Sequence, residues 1–222
     1  MKVKATIIFI LVFSSLGAVA QTTQFSLATD VDVIYSFRKQ QKFWTIGQTI
    51  AGHLHVAPKD GAYAMFSYSG NGKFHNQLEA TANDVSTVPQ QFDFVNKATM
   101  SFYHVSLGWK RYLVGTYNNE YGWNLYGYAG FGLVLGKIFN AQSPPVDTFT
   151  YHSPVMAGRS SFRRLTVDLA GGFEVPAGGG VYFYTEGRML VPTTDYPNKY
   201  LLIYNDAPLI GSVNLGVRIL FD

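Results

Sequence analysis

An all-β fold is what this sequence predicts, an antiparallel up-and-down barrel of eight strands, and three observations predict it. Apolar and polar residues alternate strictly along most of the chain, which is the period of a half-buried strand and not the spacing of three and four that a helix requires. The connections between the alternating runs are short and long in turn, as in a meander whose two rims differ. The composition is 47% hydrophobic and 16% aromatic with only 14% charged, against roughly 25% charged in an ordinary soluble domain. So apolar a chain is not disordered, and its 222 residues suit one barrel domain.

The first segment reads as an export signal. Lys2 and Lys4 precede the apolar run Ile7–Phe13, and Ala18-Val19-Ala20 forms a small-residue cleavage site before Gln21. These are the three regions of a secretory signal peptide, and the apolar run is shorter than the ~20 residues of a spanning helix. The expected organisation is a signal peptide over 1–20 and a barrel domain over 21–222. Removing Lys2 and Lys4 from 17 basic residues leaves 15 against 14 acidic, a mature net charge of +1. Nucleic-acid binding has no basic stripe to support it. The exported chain has no Cys, so a sheet that closes on itself must do what disulfides do in small secreted domains.

The strands follow in order. From Phe25, the residues Leu27, Val31, Val33, Tyr35 and Phe37 alternate with Ser26, Ala28, Asp30, Asp32 and Ser36. The second run sets Trp44, Ile46, Ile50, Leu54 and Val56 against Thr45, Gly47, Thr49, His53 and His55, and Pro58-Lys59-Asp60-Gly61 ends it in a turn. The third carries Ala62, Ala64, Phe66 and Tyr68 on one face and ends at Gly70-Asn71-Gly72, before a long polar segment to about Lys97. The fourth opposes Tyr103, Val105, Leu107 and Trp109 to His104, Ser106, Gly108 and Lys110. After a turn near Asn118 the fifth opposes Trp123, Leu125, Ala129, Phe131, Leu133 and Leu135 to Asn124, Tyr126, Tyr128, Gly130, Gly132 and Gly136. A second long segment with Pro144-Pro145 reaches about Ser161. The sixth strand sets Leu165, Val167, Leu169, Phe173 and Val175 against Thr166, Asp168, Ala170, Gly172 and Glu174, and Gly178-Gly179-Gly180 is the next turn. The seventh sets Val181, Phe183, Met189 and Val191 against Tyr182, Tyr184, Glu186 and Arg188. A loop with Pro192, Pro197 and Pro208 leads to the eighth, where Val213, Leu215, Val217, Ile219 and Phe221 oppose Ser212, Asn214, Gly216 and Arg218.

Turns after strands two, four and six and long loops after three, five and seven place the segments 71–97, 140–160 and 193–207 at one rim. The loop after strand one is the short exception. A soluble ligand-binding barrel is apolar inside and polar outside, whereas a transmembrane barrel is apolar outside and polar inside. Small and charged residues share one face here, which suits a narrow interior holding paired charges. Trp109, Trp123 and Phe221 fall at one rim and Trp44 and Phe37 at the other, as interfacial aromatic girdles do. The transmembrane reading follows. Asp30, Asp32, Asp168, Glu174, Glu186, Lys110, Arg188 and Arg218 then form an inward charge set, with Arg188 and Arg218 expected to face Glu186 and Asp168. Eight strands leave an interior just wide enough for side chains to fill, so the expected lumen is plugged.

The last strand, Asn214-Leu215-Gly216-Val217-Arg218-Ile219-Leu220-Phe221, resembles the terminal insertion signal of bacterial outer-membrane proteins: polar Asn214, Gly216, then Ile219 and Phe221 spaced by one. Such a strand docks on assembly machinery by strand addition, and Asp222 after Phe221 departs from the usual terminal aromatic. With Trp123–Gly132 and Tyr184–Arg188, these residues make the chain similar to small outer-membrane barrels of the kind abundant in Bacteroidetes, with the architecture of the OmpA and OmpX type. No peptidoglycan-binding domain is expected after Asp222.

Candidate chemistry is sparse. His53 and His55 share a strand face but lack further metal ligands at a fixed spacing, and they read as lumen residues. His104 and Ser106 resemble the His-x-Ser of lipid A deacylases, yet alternation points them inward, away from lipid. Gly127, Gly130 and Gly132 precede no helix that could receive a phosphate, and inward glycines make room for large neighbours. The expectation is a non-enzymatic outer-membrane barrel with a structural or surface-interaction role and no cofactor. Its partners are outer-membrane lipid and, during biogenesis, the barrel assembly machinery. A lipid-modifying enzyme and a soluble periplasmic ligand-binding barrel are the alternatives.

Overall fold

The structure is a computed structural model that describes residues 23–194, 198–202 and 209–221. The expected signal peptide, Pro197, Pro208 and Asp222 lie outside the described residues. The elements are β1 (Gln24–Ser36), β2 (Trp44–Ala57), β3 (Asp60–Ala82), β4 (Gln91–Val114), β5 (Asn124–Ser143), β6 (Tyr151–His152), β7 (Gly158–Gly178), β8 (Val181–Pro192) and β9 (Ile210–Phe221). Every pairing is antiparallel. The sheet runs β2-β1-β9-β8-β7-β5-β4-β3 and closes through β2–β3 into a ring of eight, with β6 appended to the far end of β3. Closure leaves the ring without a free edge.

The first and last strands meet in register, Phe25 opposite Phe221 and Tyr35 opposite Gly211. The start of β1 and the end of β9 therefore lie at the rim that also carries the β2–β3, β4–β5 and β7–β8 connections, here called the turn end. Gly178, Gly179 and Gly180 all take positive φ (99°, 60° and 76°) in the β7–β8 hairpin, a backbone that glycine alone adopts without steric cost. The opposite rim, the loop end, holds 37–43, 83–90 and 144–157 and the described residues 193–194, 198–202 and 209 between β8 and β9.

Two expectations about this rim are corrected. The stretches 71–82 and 91–97 are strand and not loop, because β3 runs for 23 residues and β4 for 24. Gly70-Asn71-Gly72 is a bulge rather than a turn: Ser69 opposes Phe102 and Gly72 opposes Met100, so one extra residue shifts the inward parity from odd to even while pairing continues. With β5 and β7 at 20 and 21 residues, four strands stand well beyond the others. Residues 140–143 and 158–160 likewise belong to β5 and β7, and Asn140 opposes Gly158.

Alternation sorts the side chains. Outward apolar residues are exposed, among them Phe131 at 75% and Leu215 at 67%, while Asp30, Asp168, Glu174 and Arg218 on the other face are 4% exposed or less. From Phe25 to Tyr35 a strand advances roughly 33 Å, and a tilt of about 40° turns that into an apolar band about 25 Å tall. Its rims are aromatic. Phe25 stacks on Phe221 at 5.9 Å and Trp123 on Phe173 at 5.5 Å at the turn end, and Tyr35 meets Trp44 at 4.5 Å and Phe37 at 4.9 Å at the loop end.

The interior divides in two. The turn-end half holds Ala28, Ala51, Tyr63, Met65, Tyr112, Tyr126, Tyr128 and Tyr184 among the charged groups. The loop-end half is mainly apolar: Ile34, Met100, Phe102, Val134, Phe162, Leu190 and Ile210 pack with Phe43 and Leu201, which descend from loops, and the buried Arg164 lies beside them. The expectation of a polar lumen is corrected for the loop-end half.

Candidate functional site

The chemistry of the molecule is gathered in the turn-end half of the lumen, in three connected clusters. The lowest is built on Glu174 of β7. Arg218 of β9 reaches across β8 and binds it with two nitrogens, Nη2 to Oε1 at 2.7 Å and Nε to Oε2 at 3.1 Å. Asn124 donates to the same carboxylate at 2.9 Å, and Lys110 Nζ lies 3.8 Å away. The cations also find ring faces, Lys110 over Tyr126 at 3.6 Å and Arg218 over Tyr182 at 3.9 Å. The β4–β5 turn closes this mouth: Arg218 donates to the Tyr117 carbonyl at 2.8 Å, and the Tyr117 ring stacks on His55 at 4.3 Å.

The middle cluster centres on Arg188 of β8. It pairs with Glu186 at 2.6 Å, stands 3.8 Å from Asp30, and donates to Tyr128 Oη at 2.7 Å, Thr49 Oγ1 at 3.2 Å and Ser67 Oγ at 3.3 Å. Tyr126 and Tyr128 donate to Glu186 at 3.0 and 2.7 Å, and Tyr184 and Asn214 donate to Asp30 at 2.7 and 2.9 Å. Thr49 links Asp32 to the cluster at 3.4 Å. The third cluster pairs His104 with Asp168 at 3.0 Å, with Thr166 donating to Asp168 at 2.7 Å and Ser106 against Tyr63 at 3.3 Å.

The inward charge set of the sequence is thus brought together, with one difference in partners. Asp168 meets His104, not an arginine, and Arg218 takes Glu174 instead. Face alternation assigns inside or outside but not azimuth, so it could not choose between carboxylates on neighbouring strands. The hydrogen-bonding role of the inward tyrosines was also missed, although Tyr126, Tyr128, Tyr182 and Tyr184 stand on the polar face in the sequence. Gly130 and Gly132 make room for this packing, since a Cβ on Gly130 would run into Tyr63 and one on Gly132 into His104 and Asp168. Gly127 instead opposes Gly171 on the outward face.

These arrangements fill space. The void bordered by Asp30, His53, Tyr63, Lys110, Glu186 and Arg188 measures about 10 Å³, room for about one water. His53 and His55 lie in the lumen, where His55 Nε2 stands 2.8 Å from Ser26 Oγ. Among the described residues no group of three His, Asp or Glu side chains is arranged to hold a metal ion. His104 and Ser106 are each 1% exposed and have no route to lipid.

Asn214 and Gly216 of the terminal strand face inward, while Ile219 and Phe221 face outward at the turn end. Trp109 and Trp123 are exposed near the same rim, and Trp44 at the other.

A closed antiparallel ring of eight strands, apolar outside and with paired charges inside, has the architecture of eight-stranded transmembrane barrels. No protein-family model and no curated protein sequence matches the chain. Among solved structures, Neisserial surface protein A superposes with a TM-score of 0.51 at 10% identity, covering 89% of this chain and 97% of that one. The attachment invasion locus protein of Yersinia pestis gives a TM-score of 0.48 at 13% identity over 90% of this chain and 99% of that one. The fold is that of the small outer-membrane barrels.

Proposed function

We propose that the protein is an integral outer-membrane barrel with a sealed lumen and no catalytic activity, serving as a rigid mount for the structure at its loop end. The observation that carries this reading is the inversion of polarity. Exposed Phe131, Leu107, Ile46 and Leu215 belong to a band around the whole barrel, far beyond the few hundred Å² of contiguous apolar surface a soluble monomer tolerates. In lipid such a band carries no such penalty. The reverse sense, apolar cavity inside and polar surface outside, is what a soluble ligand-binding barrel would need.

The role at the surface rests on the strands that stand beyond the band. β6 pairs with the end of β3 there, and Asn83 donates to the Phe149 carbonyl at 3.0 Å, so two loops are tied into one unit. Val85, Val88 and Phe149 are 94%, 88% and 94% exposed at its tip, where apolar side chains suit contact with another molecule.

Cell fractionation tests the reading. The protein should stay with the outer membrane through urea washing and migrate faster in detergent gels when unboiled. Protease added to intact cells should cut within 83–90 or 144–157, and cleavage confined to Asp60–Gly61 or Gly178–Gly179 would reverse the orientation. Ile219→Asp or Phe221→Asp should lower membrane yield more than Leu220→Asp, because the first two put a carboxylate on the lipid face. Equal yields would contradict the proposed role of the terminal strand.

A further inference from the structure

The outward face of β3, β4, β5 and β7 changes character immediately above the loop-end aromatic ring. Leu135, at the top of the apolar band on β5, opposes Arg163 on β7 and Tyr103 on β4. One outward row further, Lys137 lies between Ser161 and Ser101. The next row runs Arg159, Phe139, Thr99, Lys73 across the four strands. Lys73, Lys137, Arg159 and Arg163 are all exposed, and among the described residues none of them makes an ion pair. The turn-end rim differs: its Arg111 is compensated by Asp60 at 3.7 Å.

The surface is concave here. A depression of about 630 Å³ is bordered by Asn71, Thr99, Ser101, Lys137, Arg159 and Ser161, so two cations and several hydroxyl and amide groups converge on one space. Arg159 is steadied over the Phe139 ring at 5.3 Å. The carboxylates of the same face stand apart, with Glu79 opposite Asp93 nearer the tip, roughly 13 Å along β4 beyond Lys97. On this face Lys73, Lys97, Lys137, Arg159 and Arg163 therefore stand between the apolar band and the carboxylates nearer the tip.

We propose that this depression binds the phosphorylated headgroup of an anionic lipid in the surrounding leaflet. The phosphates meet Lys137 and Arg159, with Arg163 and Lys73 flanking, and sugar or glycerol hydroxyls meet Ser101, Thr99 and Ser161. The acyl chains run down over Leu135, Leu133 and Leu165. The depression opens sideways from the barrel wall, directly above the apolar band, and this geometry selects a lipid of the leaflet over a soluble polyanion. The proposal rests on the membrane reading above.

The test uses the mature protein folded in zwitterionic detergent micelles, titrated with bisphosphorylated lipid A and with the same lipid stripped of phosphate, with retained lipid read by native mass spectrometry. The wild type should retain the phosphorylated lipid and not the stripped one. A membrane-surface cation contributes roughly fivefold in affinity, so Lys137→Glu/Arg159→Glu/Arg163→Glu should weaken retention by about a hundredfold or more. Arg111→Glu at the other rim should leave it unchanged. Should the triple variant fail to fold, Lys137→Gln alone should weaken retention about fivefold. Equal retention of both lipids, equal retention by a folded Lys137→Glu/Arg159→Glu/Arg163→Glu variant, or heparin bound in place of lipid would overturn the proposal. Heat-modifiable migration of each sample separates the two levels: a wild type that lacks it sinks the membrane reading as well, whereas a heat-modifiable wild type without lipid selectivity sinks only this inference.

Discussion

The two halves of the lumen solve one problem with opposite chemistry. Both must fill a cylinder that eight strands leave just wide enough for side chains. At the turn end the filling is ionic, with Glu174, Glu186 and Asp30 held by Arg218, Lys110, Arg188 and a set of tyrosines. At the loop end it is mainly hydrocarbon, with Phe43 and Leu201 closing the top over Phe102, Phe162 and Leu190 and the buried Arg164 beside them. The ionic half is directional, since each group depends on a partner from another strand and removing one strands the rest. The apolar half is not directional and can repack. The difference teaches where this barrel is brittle.

The sharpest way to break the comparison is Glu174→Ala. It leaves Arg218 and Lys110 buried beside each other without their carboxylate, and breaking one side of a buried pair costs about 3 to 5 kcal/mol. Urea unfolding in micelles should register that loss. Arg188→Ala should follow closely, since Glu186 and Asp30 both lose their cation, with entering water softening the effect below that for Glu174. Leu190→Ala in the apolar half should cost about 2 to 3 kcal/mol through lost burial and a partly collapsed cavity. Ile210→Val should cost only about 1 kcal/mol. A loss for Leu190→Ala exceeding that for Glu174→Ala would invert the ranking and the comparison with it.

The smallest expected effect lies in the loops. Asp84 accepts hydrogen bonds from the Ser86 hydroxyl and amide at 2.6 and 2.8 Å, and Asp147 from the Thr150 hydroxyl and the Phe149 amide at 2.7 and 3.0 Å. These bonds hold both carboxyls below the usual value of 3.8. A carboxyl depressed in the folded state stabilises its turn fully above its unfolded pKa and ceases to do so as pH falls through the folded one. The amide shifts of Ser86 and Phe149 should therefore hold steady down to about pH 4 and move only below it.

Much of the architecture is legible in the sequence, for a physical reason that also marks its limit. Inside the apolar band each strand separates lipid from lumen, so alternation is enforced at nearly every position from Phe25 to Tyr35 and from Leu165 to Val175. Beyond the band the outward faces of β3 and β4 meet water while Phe74, Ala80, Phe94 and Ala98 are buried on the inward face, and the pattern carries fewer apolar residues although the strands continue to Ala82 and from Gln91. The bulge at Gly70-Asn71-Gly72 then presents the composition of a turn where the chain does not turn. The apolar upper lumen is hidden likewise, because Ile34 and Leu190 are apolar at positions that alternation assigns to the inward face, and Phe43 and Leu201 come from loops. The ion pairs needed azimuth, which only the closed ring supplies.

The central claim is that the barrel is sealed, and planar-bilayer recording of the purified wild type tests it most directly. Insertion is first established by heat-modifiable migration of the same preparation. The account predicts bilayers that carry the protein without a stable conductance, because a void of about 10 Å³ in the ionic half and the apolar packing above it leave no continuous water path. A large, steady, continuous current from the inserted wild type would contradict it.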